Sequence, residues 1–131
     1  MQDSTSKLFI ISLGSNLGYS EAEDNLLKAE FFLRSLLGPE IQFSSHYQTD
    51  GVGSGFGKKY LNSVCIGYTD LTFLQIKSEL KQFELDCGRS LETRNRGIVP
   101  IDLDLLQLGD EVYKQKDLKK DFVTRGLKEI K

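Results

Sequence analysis

Hydrophobic residues recur along this chain with two periods, one near two and one near 3.6, and the changes of period divide it into elements. Residues 8–13, Leu-Phe-Ile-Ile-Ser-Leu, are an apolar run with β-branched residues and predict a strand. Gly14-Ser15-Asn16-Leu17-Gly18 breaks it. Ser20 followed by Glu23 has capping-box spacing. Ala22, Leu26, Ala29, Leu33 and Leu36 then recur at helical spacing, predicting a helix to about Leu37 with those residues buried. Gly38-Pro39 stops it. Residues 40–48 alternate, with Ile41, Phe43, Ser45 and Tyr47 on one face and Gln42, Ser44, His46 and Gln48 on the other, as a second strand does. The stretch 49–57 holds glycine at 51, 53, 55 and 57, too many for a helix or a central strand, and predicts a long loop.

A third strand is predicted from Tyr60 to Tyr68. Thr72 with Gln75 is a second capping box, and Phe73, Ile76, Leu80, Phe83 and Cys87 give the buried face of a second helix. Gly88 stands where a helix-ending glycine belongs. Residues 89–99 are polar and irregular. Pro100 opens another strand that runs to about Leu108, and Gly109-Asp110 is a tight-turn signal before a short strand from Glu111 to Tyr113. Residues 114–131 carry many lysines and little periodicity, and read as a loosely structured segment with one short helix. The order βαβ, βαβ and a small hairpin predicts an α+β fold, the ferredoxin-like split βαβ sandwich, with an antiparallel-dominated sheet and two main helices on one face.

Composition narrows the class. A length of 131 residues suits a single domain spanning 1–131, with 1–7 as a polar N-terminal tail. The apolar content of 39% and charged content of 27% are those of a globular protein. The net charge of −2 argues against a nucleic-acid partner, which calls for a basic footprint. There is no run of eighteen apolar residues and no apolar signal-peptide core, so the chain is expected in the cytoplasm, off the membrane. Cys65 and Cys87 fall on apolar positions of predicted elements and read as reduced core residues. His46, the single histidine, lies on a predicted strand and reads as structural.

The stretch with chemistry in it is Ile101-Asp102-Leu103-Asp104-Leu105. On a strand, Asp102 and Asp104 share a face, about 6–7 Å apart at the backbone, while Ile101, Leu103 and Leu105 face a core. Carboxylates this close repel unless a cation lies between them, and a hard divalent ion such as Mg2+ is the natural one. An edge strand with one solvated face alternates in the same way. Gly51-x-Gly53 lacks a full dinucleotide fingerprint.

Several stretches in order carry a family likeness: Leu13-Gly14-Ser15-Asn16-Leu17-Gly18, Tyr60-Leu61-Asn62, Glu84-Leu85-x-x-Gly88-Arg89, Ile101 to Leu105, and Leu108-Gly109-Asp110-Glu111-Val112. Together, over roughly residues 8–113, the chain resembles 6-hydroxymethyl-7,8-dihydropterin pyrophosphokinase, an enzyme of folate synthesis. The resemblance implies a ferredoxin-like fold, and transfer of pyrophosphate from ATP to the hydroxymethyl oxygen of a reduced pterin with release of AMP. Asp102 and Asp104 match the aspartates that hold two Mg2+ ions, and Arg89 matches a phosphate ligand, so these three are the implied catalytic residues. Tyr60 matches the aromatic that packs on the pterin, Asn62 the amide at its edge, and Thr49 and Val52 loop positions that contact it. Glu84, Arg89, Arg96, Leu105 and Arg125 are implied on the nucleotide side. The implied partners are small molecules, ATP and the reduced pterin, with the protein a monomer or weak homo-oligomer.

The chain also departs from the pattern. Where the family has Trp-Gly-Pro-Arg-Thr, this chain has Arg96-Gly97-Ile98-Val99-Pro100, so a phosphate-binding arginine is Val99. The ungapped counterpart of a downstream Pro-His pair is Asp121-Phe122, and Gly51 stands for a proline. Both metal carboxylates remain while positive charge is lost. Three readings therefore stand: an active divergent pyrophosphokinase in which Arg89, Arg94, Arg96 or Arg125 supplies the cations, a weak or inactive relative that binds nucleotide or pterin, and a ferredoxin-like interaction module.

Overall fold

A computed structural model describes residues 6–50 and 59–130. In chain order the elements are β1 (Lys7–Ser15), α1 (Tyr19–Leu37), β2 (Gln42–Phe43), β3 (Tyr47–Asp50), β4 (Lys59–Thr69), α2 (Phe73–Asp86), α3 (Leu91–Asn95), β5 (Asp102–Leu108), β6 (Glu111–Val112), α4 (Gln115–Leu118) and α5 (Asp121–Ile130). The strands form one six-stranded sheet in the order β2-β4-β1-β5-β6, with β3 also paired to β4. Every pairing is antiparallel. β4 lies between β1 and the β2/β3 edge, so each βαβ unit is split by a strand of the other, as the element order predicted.

Alternation decides which face each strand residue meets. Phe9, Ile11 and Leu13 of β1 and Leu103 and Leu105 of β5 turn to α1 and α2, where they join Leu26, Leu33, Ile76 and Leu80 in the main core. The opposite face carries a smaller cluster of Ile10, Val64, Leu106 and Val123, the last of these from α5. The register of β1 against β5 shifts between Ile10 and Ile11. The bulge at Leu106 lets Leu105 and Leu108, three residues apart, both face the main core, while Leu106 faces the smaller cluster.

Local structure departs from the sequence reading in four places. The Ser20–Glu23 capping box does not form: α1 begins after Gly18, with no side-chain cap. Glu23 instead meets His46 Nδ1 at 2.5 Å, and Glu30 meets Nε2 at 2.7 Å, so a tertiary ion pair takes the side chain that local capping would use. The Thr72–Gln75 box does form.

The predicted strand 40–48 is broken at 44–46. Ser44 Oγ accepts the Val64 N–H there at 3.0 Å, and the break changes which face the following residues meet. Phe43 packs on the main core, whereas Tyr47 lies under Arg125 of α5. The stretch 89–99, expected to be irregular, contains α3, opened by a capping box of Ser90 and Thr93. Finally, the segment from residue 114, expected to be mostly loop, is largely helical, and α5 packs on β4.

Cys65 is buried, and both cysteines are free thiols. Among the described residues no helix is long and apolar enough to cross a membrane. The predicted loop 49–57 falls for the most part outside the described residues, as do Val52 and most of the N-terminal tail.

Candidate active site

α5 covers only part of the sheet face opposite α1 and α2. Beside it lies a cavity of about 590 Å³. Its floor is the sheet: Ser12 and Gly14 from β1, Tyr60 and Asn62 from β4, Asp102 and Asp104 from β5. The register explains the grouping, since Gly14 lies opposite Asn62 on one side and Asp102 on the other, and Ser12 lies opposite Asp104. A Cβ at Gly14 would come within 3.1 Å of Asn62 Oδ1, so a glycine keeps that amide free to face the cavity. Asn62 Nδ2 donates to Thr49 Oγ1 at 2.5 Å, which fixes the amide and ties β3 into the wall. Tyr60 is partly buried, and burial, followed by the Asp102 charge, pushes its phenol up.

A second cavity of about 260 Å³ opens along the outer edge of β5, against α2. Asp102 and Asp104 line both cavities. On the edge side Glu84 Oε2 accepts the Leu103 N–H at 2.8 Å. Arg89 Nη1 lies 3.3 Å from Glu84 Oε1 and donates to Asp102 Oδ1 at 2.9 Å and to the Ile101 carbonyl at 3.3 Å. Lys77, Lys81 and Lys114 complete the basic side of this cavity, and Leu105 also lines it. Burial is the main force raising the Glu84 carboxyl, against the N–H of Leu103 and the charge of Arg89. The Asp104 carboxyl is pushed up to about 6, first by burial and then by the Asp102 charge beside it.

Two neighbouring carboxylates on one strand face, with little positive charge between them, form a site that gains from a cation. Among the described residues no group of three or more His, Cys, Asp or Glu side chains is placed to hold a metal. A cation held by this pair therefore fills its remaining coordination from elsewhere. Mg2+ suits that arrangement, because it keeps several waters and binds through one or two carboxylates together with substrate phosphates.

The remaining sequence candidates are scattered. Arg125 is on α5, with its guanidinium 4.3 Å from the centre of the Tyr47 ring, and lines neither cavity. Arg94 and Arg96 are exposed at the end of α3 and line neither cavity. Val99 is held through its backbone: its carbonyl accepts from the Asn16 N–H at 3.0 Å, and its N–H donates to Asn16 Oδ1 at 2.6 Å. Phe122 lines the larger cavity.

Lys119 and Lys120, at the corner between α4 and α5, also line the larger cavity, and with Lys114 they went unnoticed in the sequence. The signal for them was the spacing of Val123, Leu127 and Ile130, which marks a helical face and folds the lysine-rich stretch back onto the sheet. His46 lines neither cavity. It is bound by two glutamates of α1 and holds the β3 edge to that helix.

Residues 10–131 match the family described as 7,8-dihydro-6-hydroxymethylpterin-pyrophosphokinase. The chain is 32% identical over 120 residues to a folate synthesis bifunctional protein of Chlamydia caviae, an alignment covering 88% of this chain and 26% of that protein. It is 33% identical over 108 residues to the protein of the same name from Chlamydia trachomatis, covering 79% of this chain and 23% of that one. The chain thus spans about a quarter of the length of these curated relatives. With the match running over almost all of its sequence, the chain belongs to the 7,8-dihydro-6-hydroxymethylpterin-pyrophosphokinase family.

Proposed function

We propose that the protein transfers the terminal pyrophosphoryl group of ATP to the hydroxymethyl oxygen of 6-hydroxymethyl-7,8-dihydropterin, a step of folate synthesis. The oxygen attacks the β-phosphorus, the bond from that phosphorus to the α-phosphate oxygen breaks, AMP leaves, and the hydroxyl proton is released. The observation that carries this reading is that Asp102 and Asp104 line both cavities, so groups bound in the two would meet at the carboxylates. The larger cavity supports the pterin assignment, with a tyrosine face, the Asn62 amide and the Thr49 hydroxyl for a flat polar heterocycle. The edge cavity, with Arg89 and three lysines, supports the nucleotide assignment.

Asp102 and Asp104 would hold the magnesium, which we take as two ions by family likeness. The metal supplies charge neutralisation on the transferring group and a template for in-line attack. Arg89 orients Asp102 and contributes a fixed positive charge. Glu84 binds the Leu103 N–H and so stiffens the β5 edge beside the carboxylates. Tyr60 and Asn62 orient the pterin. Val52 is proposed on the pterin side by likeness alone.

The reading is tested by mixing protein, MgATP and the reduced pterin and measuring AMP. Release of AMP supports it. Binding of either ligand without AMP would instead support a silent relative, a reading favoured by Val99 and Phe122 at positions where the family carries charge. Asp102→Ala and Asp104→Ala are each expected to abolish magnesium-dependent nucleotide binding in calorimetric titrations. Titrations unchanged from wild type in both variants would overturn the assignment.

A further inference from the structure

Lys114 differs from two other cations of the edge cavity, Arg89 and Lys77. Arg89 is already tied to Glu84, Ile101 and Asp102. Lys77 rests over the Phe73 ring, 5.4 Å from its centre. Lys114 points its ammonium at Asp104, with Nζ 3.7 Å from Oδ1. That separation is an ion pair without a hydrogen bond, between side chains 48% and 29% exposed, so little holds it in place. The backbone, in contrast, is fixed. The N–H groups of Tyr113 and Lys114 both point at the Leu106 carbonyl, at 2.9 and 3.4 Å, and the Lys114 carbonyl accepts from Asp117 and Leu118 at 3.0 and 3.1 Å. Tyr113 also packs on Phe73 of α2, with ring centres 4.5 Å apart. A long flexible side chain is thus mounted on a rigid base beside Asp104.

We propose that Lys114 is a nucleotide-positioning residue: its ammonium balances Asp104 in the metal-free protein and turns onto the polyphosphate when a divalent cation takes that place. The proposal rests on the pyrophosphokinase reading. A divalent ion at Asp104 repels the ammonium, and a nucleotide in the cavity that Lys114 lines offers its polyphosphate as a new partner. The exchange recovers part of the positive charge that Val99 does not supply. It also makes metal binding and nucleotide binding respond to Lys114 with opposite signs.

The test uses the full chain as wild type, Lys114→Met, Lys114→Arg and, as a control for net charge, Lys116→Met. Each is titrated with Mn2+ alone and with Mg2+ plus a non-hydrolysable methylene analogue of ATP. Lys114→Met is expected to bind Mn2+ alone about two- to fivefold more tightly, because a competing charge is gone. The same variant is expected to bind the magnesium analogue about tenfold more weakly, because a charge-assisted phosphate contact is lost. Lys114→Arg should restore analogue affinity to within about threefold, and Lys116→Met should change neither titration. A merely structural lysine would weaken both titrations or neither, and either result overturns the proposal. If wild type binds the analogue and Lys114→Met matches it, the proposal falls and the pyrophosphokinase reading stands. If wild type binds no magnesium analogue, both fall.

Discussion

His46 and Ser63, which line neither cavity, show how single side chains carry effects on stability. The hydrogen bond to Glu30 is the main force that raises the His46 imidazolium from 6.5 to about 9, with burial opposing it and Glu23 adding to it. Below about pH 6.5 the imidazole is protonated in both folded and unfolded chains, and its contribution to stability is fully present. Between 6.5 and 9 the unfolded chain gives up the proton while the folded one keeps it, so stability falls as pH rises and the contribution is gone above 9. Urea denaturation across that range should show this slope, and His46→Ala should flatten it and cost about 1–3 kcal/mol at pH 6. Ser63 is the opposite case. Among the described residues its Oγ is the buried side-chain polar atom without a partner. Ser63→Ala removes an unsatisfied hydroxyl and should leave stability unchanged or raise it by about 1 kcal/mol in the same assay.

At the scale of elements, α5 has the most influence on the site. Its Glu129 accepts from the Ser45 N–H at 2.6 Å, from Ser45 Oγ at 2.9 Å and from the Tyr47 hydroxyl, while Arg125 lies over the Tyr47 ring. These contacts fix the helix to the strand that ends near Thr49, and the preceding corner presents Lys119 and Lys120 to the cavity. The fit depends on Gly126, where a Cβ would lie 2.3 Å from Val64 Cγ1 and 3.0 Å from Ser44 Cβ. Gly126→Ala should lift α5 from the sheet and lower stability by about 1–3 kcal/mol, despite the better helix propensity of alanine. Amide exchange in residues 121–130 should rise in that variant. Unchanged exchange would mean that the helix is held by its polar contacts alone.

Across the whole molecule, the two sheet faces have different tasks. One is filled by α1 and α2 and supplies most of the buried apolar surface; the other is left partly open by a shorter helix, and the opening is the candidate site. Its walls bring together Asp102, Asp104, Asp117 and Asp121 against Lys119 and Lys120. In that larger cavity acids outnumber lysines, and the cations for a polyphosphate lie in the edge cavity beyond the carboxylates, without the arginine that Val99 replaces. Val99→Arg should raise turnover in the AMP assay by tenfold or more if lost charge limits the rate, since an arginine on a transferring phosphoryl group is worth about 10³–10⁵ where it has been measured in other enzymes. Equal turnover in a folded Val99→Arg protein would locate the limit elsewhere.

The long strands β1, β4 and β5, the helices α1 and α2, most of the main-core residues and the shared face of Asp102 and Asp104 were legible in the sequence. Each follows from a period of two or 3.6, and a period is a local property that short-range sterics enforce. Tyr60, Asn62 and Glu84 were marked by the family resemblance, and all three line one or the other cavity. What the sequence did not determine was which of the many basic residues faces the carboxylates. Arg94, Arg96 and Arg125 stand away from both cavities, whereas Lys114, Lys119 and Lys120 line them. Nor did it reveal the break at 44–46 or the loss of the Ser20–Glu23 cap, where Glu23 pairs with a histidine 23 residues away instead. Those outcomes depend on how α5 and α1 pack across the sheet. A charged side chain on a long flexible stem is assigned to its partner by distance in space, and folding alone sets that distance.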